Sequence, residues 1–142
     1  MLVHCLYASR ASRPLTDDVL DQILKQSRKN NLRTGITGML CYANDVFVQV
    51  IEGGRTEVGR LFCKIARDER NCDLEILSFE EIAQRRFSGW TMGQVNIAGI
   101  NPALLLKYSE KITFDPFACT GAATMALVDE IASSGAIANR TI

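Results

Sequence analysis

Apolar and polar residues alternate strictly from Val46 to Ile51, which puts Val46, Val48 and Val50 on one face of a strand and Phe47, Gln49 and Ile51 on the other. Gln49 is then a primary amide set between large apolar side chains. If helices cover the Phe47 face, that amide needs partners, because an unpaired buried polar group costs on the order of 1 to 3 kcal/mol. On this stretch alone a satisfied or edge-exposed glutamine is the plainer reading, and a ligand contact is the alternative.

The same pattern organises the rest of the chain. Leu2 to Ala8 alternates Leu2, His4 and Leu6 against Val3, Cys5 and Tyr7, which predicts a first strand with Tyr7 near its end. Thr16 is a candidate N-cap followed by Asp17 and Asp18, and Val19, Leu20, Ile23, Leu24 and Ser27 form the buried stripe of a helix over residues 16 to 29, with Asn30-Asn31 as its stop. A hairpin follows, with Ala43-Asn44-Asp45 as its turn and Gly53-Gly54 as its exit. Val58, Leu61, Phe62 and Ile65 predict a second helix, Leu74 to Ile82 a fourth strand, and Trp90 to Asn96 a short fifth strand on which Trp90 and Met92 share a face. Between those two strands, Gln84-Arg85-Arg86 reads as a solvated charge run. Pro102 opens a helix over 103 to 111, and Asp115-Pro116 caps a longer Ala-rich helix over 117 to 133, with a frayed tail from Gly135.

The order β-α-β-β-α-β plus a fifth strand predicts an α+β fold: a ferredoxin-like βαββαββ sheet with two helices on one face, and two further helices at the C-terminus. That topology hosts unrelated functions and decides none of them.

Composition removes several classes. The 16 basic and 16 acidic residues cancel, so no net field favours nucleic acid or an acidic membrane. Five cysteines without a CxxC pair, beside a single histidine, argue against a zinc site and suit reduced thiols in a cytoplasmic protein. Neither a signal peptide nor a spanning segment is visible. His4 lies on a strand with no nucleophile arrangement around it, and neither a Walker loop nor GxGxxG occurs. A phosphate-handling enzyme has no positive signal. A ligand between the two helices is better motivated: Tyr7, Asn30, Asn31 and Gln49 offer neutral donors and acceptors suited to a ring with alternating C=O and N–H groups. Without neighbours, however, Asn30-Asn31 is simply a helix stop.

Five motifs carry a resemblance. They are Leu6-Tyr7-Ala8-Ser9; Asn30-Asn31 before Thr34-Gly35-Ile36-Thr37-Gly38; Phe47-Val48-Gln49-Val50-Ile51-Glu52-Gly53; Ile65-Ala66-Arg67-Asp68-Glu69-Arg70; and Arg86-Phe87-Ser88-Gly89-Trp90-Thr91-Met92. In this order the chain resembles the BLUF domain, the blue-light sensor that uses FAD, and is similar to its short, single-domain PixD-like members. The resemblance implies a non-covalent FAD whose ring lies between the two helices, sandwiched by Ile23 and Ile65. It implies ring contacts from Asn30, Asn31 and Gln49, a bond from Tyr7 to Gln49, and Lys64, Asp68 and Arg70 near the ring edge, ribityl or phosphate. It further implies a photoreceptor and not an enzyme: light drives an electron and a proton from Tyr7 toward the flavin through Gln49, and rearranged hydrogen bonds give a reversible red shift. Trp90 and Met92 would relay the change to a separate effector protein. Residues 1–97 would be the flavin-binding domain and 98–142 a helical extension for output and homo-oligomerisation, with no metal, membrane or nucleic acid involved. A light-independent flavin redox protein and a ligand-free interaction module are the alternatives.

Overall fold

The computed structural model describes residues 1–134, so the expected fraying from Gly135 lies outside the described residues. Strands β1 (Leu2–Ala11), β2 (Thr37–Ala43), β3 (Val46–Gly54), β4 (Asn71–Ile82) and β5 (Gly93–Asn96) form one sheet in the order β4-β1-β3-β2-β5. The first four pair antiparallel, whereas β5 joins the edge parallel to β2 through Met39–Tyr42. Helices α1 (Asp17–Thr34) and α2 (Arg55–Ala66) connect the strands, and α3 (Pro102–Tyr108) and α4 (Gly121–Ser133) follow. This is the ferredoxin-like arrangement expected.

Alternation divides the core in two. Val3, Cys5, Leu40, Phe47 and Ile51 pack with Leu20, Leu24 and Val58 on the α1/α2 side. On the other side Leu6, Ala8, Met39, Cys41, Val48 and Val50 pack with Leu105, Leu127, Val128 and Ile131, so α3 and α4 seal the second face. Close approach there requires a glycine: a Cβ on Gly121 would stand 2.2 Å from the carbonyl oxygen of Leu77.

Several local expectations are corrected. Thr16 does cap α1, accepting from Val19 N–H at 3.3 Å, but the helix runs past Asn30-Asn31 to Thr34. Its stop is Gly35, in the left-handed region at φ 75°, whose N–H bonds to the Asn31 carbonyl. Asparagine caps weakly beside a glycine that adopts this conformation without strain. β1 continues beyond Ala8 to Ala11, and β4 begins at Asn71. The hairpin turn sits on Asn44-Asp45, with Asn44 at φ 53°. α3 stops at Tyr108 instead of 111. Asp115-Pro116 opens only a single 3-10 turn, and α4 has its own cap, Thr120, accepting from Ala123 N–H at 3.0 Å.

The charge run is not a solvated stretch. Glu52, 1% exposed, accepts from Thr37 Oγ1 (2.9 Å), Arg86 N–H (2.9 Å) and Phe87 N–H (2.8 Å). Arg85 donates to Thr37 Oγ1 at 2.9 Å and to the Glu52 carbonyl at 3.3 Å, and Arg86 pairs with Asp129 of α4. A buried carboxylate needing donors explains why these arginines turn inward.

Candidate functional site

The antiparallel register of β1 and β3 makes Tyr7 and Gln49 direct neighbours. Both are buried on the α1/α2 face, and the Tyr7 hydroxyl donates to Gln49 Oε1. The other end of the amide, Nε2, donates to Met92 Sδ at 3.3 Å. Gln49 thus faces a phenol on one side and a thioether on the other. The Tyr7 ring also meets Phe62 of α2 edge-on, with centroids 5.8 Å apart. Burial pushes the Tyr7 phenol well above the tyrosine range, and Cys5 and Asp68 push it further in the same direction.

In front of this pair, α1 and α2 stand apart over a cleft of about 600 Å³, within the range of small-molecule sites. Ile23 and Leu61 with Ile65 form its helical walls, Leu40 and Phe47 its floor, and Tyr7, Asn31 and Gln49 its polar positions. Asn31 is 2% exposed, and its Nδ2 donates to the Thr91 carbonyl at 2.8 Å. An adjoining hollow of about 410 Å³ adds Gln26, Asn30 and Lys64. At the mouth Arg70 Nε lies 3.0 Å from both oxygens of Asp68, and Arg70 Nη2 reaches Gln26 Oε1 at 3.3 Å, tying the loop after α2 to α1. Hydrogen bonds from Arg70 hold the Asp68 carboxyl below its ordinary value.

Seven of the expected site residues therefore meet in one cleft: Tyr7, Ile23, Asn31, Gln49, Ile65, Asp68 and Arg70. Asn30 and Lys64 lie at its outer hollow. Trp90 and Met92 do not share a strand face, because both precede β5 in a bent segment. Met92 is fully buried on the α1/α2 side, whereas Trp90 packs on the opposite side, stacked on Phe87 at 5.5 Å. Sequence reasoning missed Ser9, Ser27, Leu61 and Asn71 as lining residues, and missed Arg28, whose guanidinium holds the Met92 carbonyl. The α1 periodicity that placed Ile23 also places Ser27 one turn on, so that residue was within reach of the pattern.

The profile of the BLUF family, described as sensors of blue-light using FAD, matches residues 2–93. The chain belongs to the BLUF family. Its match ends at Gly93, the first residue of β5. The BLUF chain is similar to a solved dark-state structure of BlrB, a BLUF protein, at 36% identity, covering 94% of this chain and 96% of that one with a TM-score of 0.76. For the photo-activated state of BlsA the values are 30%, 92%, 94% and 0.79. Among curated proteins it is 33% identical over 87 residues to the photoactivated adenylate cyclase subunit beta of Euglena longa, a stretch that is 61% of this chain and 10% of the relative. The BLUF chain thus spans about a tenth of the length of the curated relatives it matches. It is a blue-light sensor, and its cofactor is FAD.

The residues present fit that cofactor. A flat, largely apolar ring with carbonyl and imide edges suits a slot between aliphatic side chains with uncharged amides at its back. Gln49 and Asn31 each retain a second amide hydrogen and a further oxygen lone pair beyond the bonds named above. Among the described residues no group of His, Cys, Asp and Glu could hold a metal, and no helix is long and apolar enough to cross a membrane.

Proposed function

We propose that FAD is held between α1 and α2 by Ile23, Ile65, Asn30, Asn31 and Gln49, with Lys64, Asp68 and Arg70 toward its ribityl and phosphate portion, and that Tyr7 and Gln49 convert absorbed light into a change of hydrogen bonding. The observation that carries this reading is the Gln49 amide, bonded to Tyr7 through Oε1 and to Met92 through Nε2 at the back of the cleft.

When bound, FAD supplies a blue-absorbing ring that becomes a strong oxidant on excitation. Tyr7 loses one electron to it and its phenolic proton to Gln49. The two losses are coupled, because burial makes a tyrosinate alone prohibitive at neutral pH. Electron and proton later return to Tyr7, so no covalent bond is gained or lost. What persists is an amide left rotated or tautomerised, with donor and acceptor ends exchanged toward its neighbours. Met92, in contact with Nε2, feels that exchange first.

On this reading residues 98–134 form the output face. The chain performs no catalysis of its own and passes its state to a separate protein as a cytoplasmic sensor, with homo-oligomers assembled through the Ala-rich α4. The test is a flavin absorption spectrum before and after a brief blue pulse. A small red shift that decays in the dark is expected. A bound flavin whose band does not move would identify a light-independent redox carrier, and a colourless protein an interaction module.

A further inference from the structure

Three successive carbonyls lie in the bent segment before β5, and each is held by a donor from another element. Gly38 N–H of β2 takes that of Trp90 at 3.1 Å, and the Asn31 amide takes that of Thr91 at 2.8 Å. Arg28 takes that of Met92 through both Nε (3.2 Å) and Nη2 (3.1 Å). Arg28 and Asn31 are three residues apart on α1 and so point the same way. The helix that walls the cleft therefore also grips the main chain of residues 91 and 92.

Arg28 is half-buried, and burial lowers its pKa while Asp21, one turn or so back on α1, opposes the drop. A guanidinium partly withdrawn from water that directs two N–H groups at one neutral carbonyl is fixed in direction by its planar fork. The residue it grips has no freedom on its side-chain end either, since Met92 is fully buried with its sulfur against Gln49.

We propose that Arg28 is a positioning residue for the photocycle: by holding the Met92 carbonyl it keeps the thioether against Gln49 in the dark, and so sets how fast the altered amide returns. The inference rests on the reading of Gln49 as the relay. A methionine side chain is unbranched and repacks at small cost, so its place depends on where its backbone is anchored. Releasing the carbonyl lets Met92 withdraw, and the dark arrangement loses the bond from Nε2. Destabilising the product of the return step slows that step. An arginine that merely stiffened α1 against the sheet would lower stability and leave the recovery rate alone.

The experiment uses the full FAD-loaded chain with Arg28→Ala and Arg28→Lys, and two readouts. One is dark recovery after a blue pulse. The other is the dark spectrum of methyl-¹³C methionine, in which Met92 is one of four signals and is assigned by Met92→Leu. For Arg28→Ala the expected result is an unchanged extent of red shift, recovery slowed about three- to tenfold, as for loss of part of a charge-assisted bond, and a displaced Met92 methyl signal. Arg28→Lys, whose ammonium can still reach the carbonyl with one bond, is expected to recover faster than Arg28→Ala. Recovery at the wild-type rate in Arg28→Ala, equal slowing in both variants, or an unmoved Met92 signal overturns the proposal. Should the wild-type chain show no red shift, the Gln49 reading falls, and the methyl signal alone then decides whether Arg28 holds Met92 in place.

Discussion

Trp90 and Met92, two positions apart in the chain, lie on opposite sides of the sheet. Met92 is buried beside Gln49 in the core under α1 and α2, and Trp90 stacks on Phe87 in the core under α3 and α4. The segment between them is therefore a point where the two cores meet through main chain. Met92→Ala is expected to keep the red shift, since Tyr7 and Gln49 are intact. It should lose the light-dependent infrared amide bands of the sheet and any light-induced change in oligomer size. Undiminished sheet bands in that variant would show that the signal leaves by another element, such as α1.

Tyr7→Phe is expected to retain FAD, because the ring and its edge contact with Phe62 survive, and to show no red shift. It also leaves Gln49 Oε1 without its donor, so a stability loss of about 1 to 3 kcal/mol should appear in urea titration of the dark protein. Gln49→Leu should be equally blind to light, and a normal shift in either variant would remove the pair from its proposed role.

Glu52 offers a test of the opposite face. Replacing it by Ala strips the partners from Arg86 N–H, Phe87 N–H and Thr37 Oγ1. A loss of about 2 to 4 kcal/mol is expected, measured by urea unfolding. Alternation places Glu52 away from the cleft, so the red shift in whatever protein remains folded should have its usual size.

The mouth of the cleft has its own pH signature. Arg70 depresses the Asp68 carboxyl in the folded chain, so this pair contributes stability in full above the unfolded aspartate value of about 3.9, and the contribution disappears as pH falls through the lower folded value. Because both side chains are about a third exposed, 30% and 40%, the contribution is no more than about 1 kcal/mol. Asp68→Asn should be the less stable protein at pH 7, and the gap should close below about pH 4. Urea midpoints at the two pH values measure it.

How far the chain could be read in advance depended on how local each signal was. Alternation along residues 46–51 gave the faces of β3 correctly, and with β1 it placed Tyr7 on the Gln49 side. The two helical stripes gave the walls Ile23 and Ile65. Helix ends were less legible: Asn30-Asn31 looked like a stop, but a glycine four residues later terminates a helix better than an asparagine. The segment 84–92 was misread throughout. Its residues answer to distant partners, Glu52, Asp129, Arg28 and Asn31, and no periodicity within the segment announces a buried carboxylate or a guanidinium waiting elsewhere. The small lining residues Ser9 and Ser27 carried no hydrophobic signal at all.

The placement of β5 has a consequence for what such a sensor can be joined to. Every strand residue that lines the cleft belongs to the four antiparallel strands, and β5 is attached to them by a ladder of four residue pairs at one margin. The family match stops where that ladder starts. A light-reading unit built this way has a single narrow seam with whatever follows it, so different sequels can be grafted beyond the seam without redesign of the part that sees light.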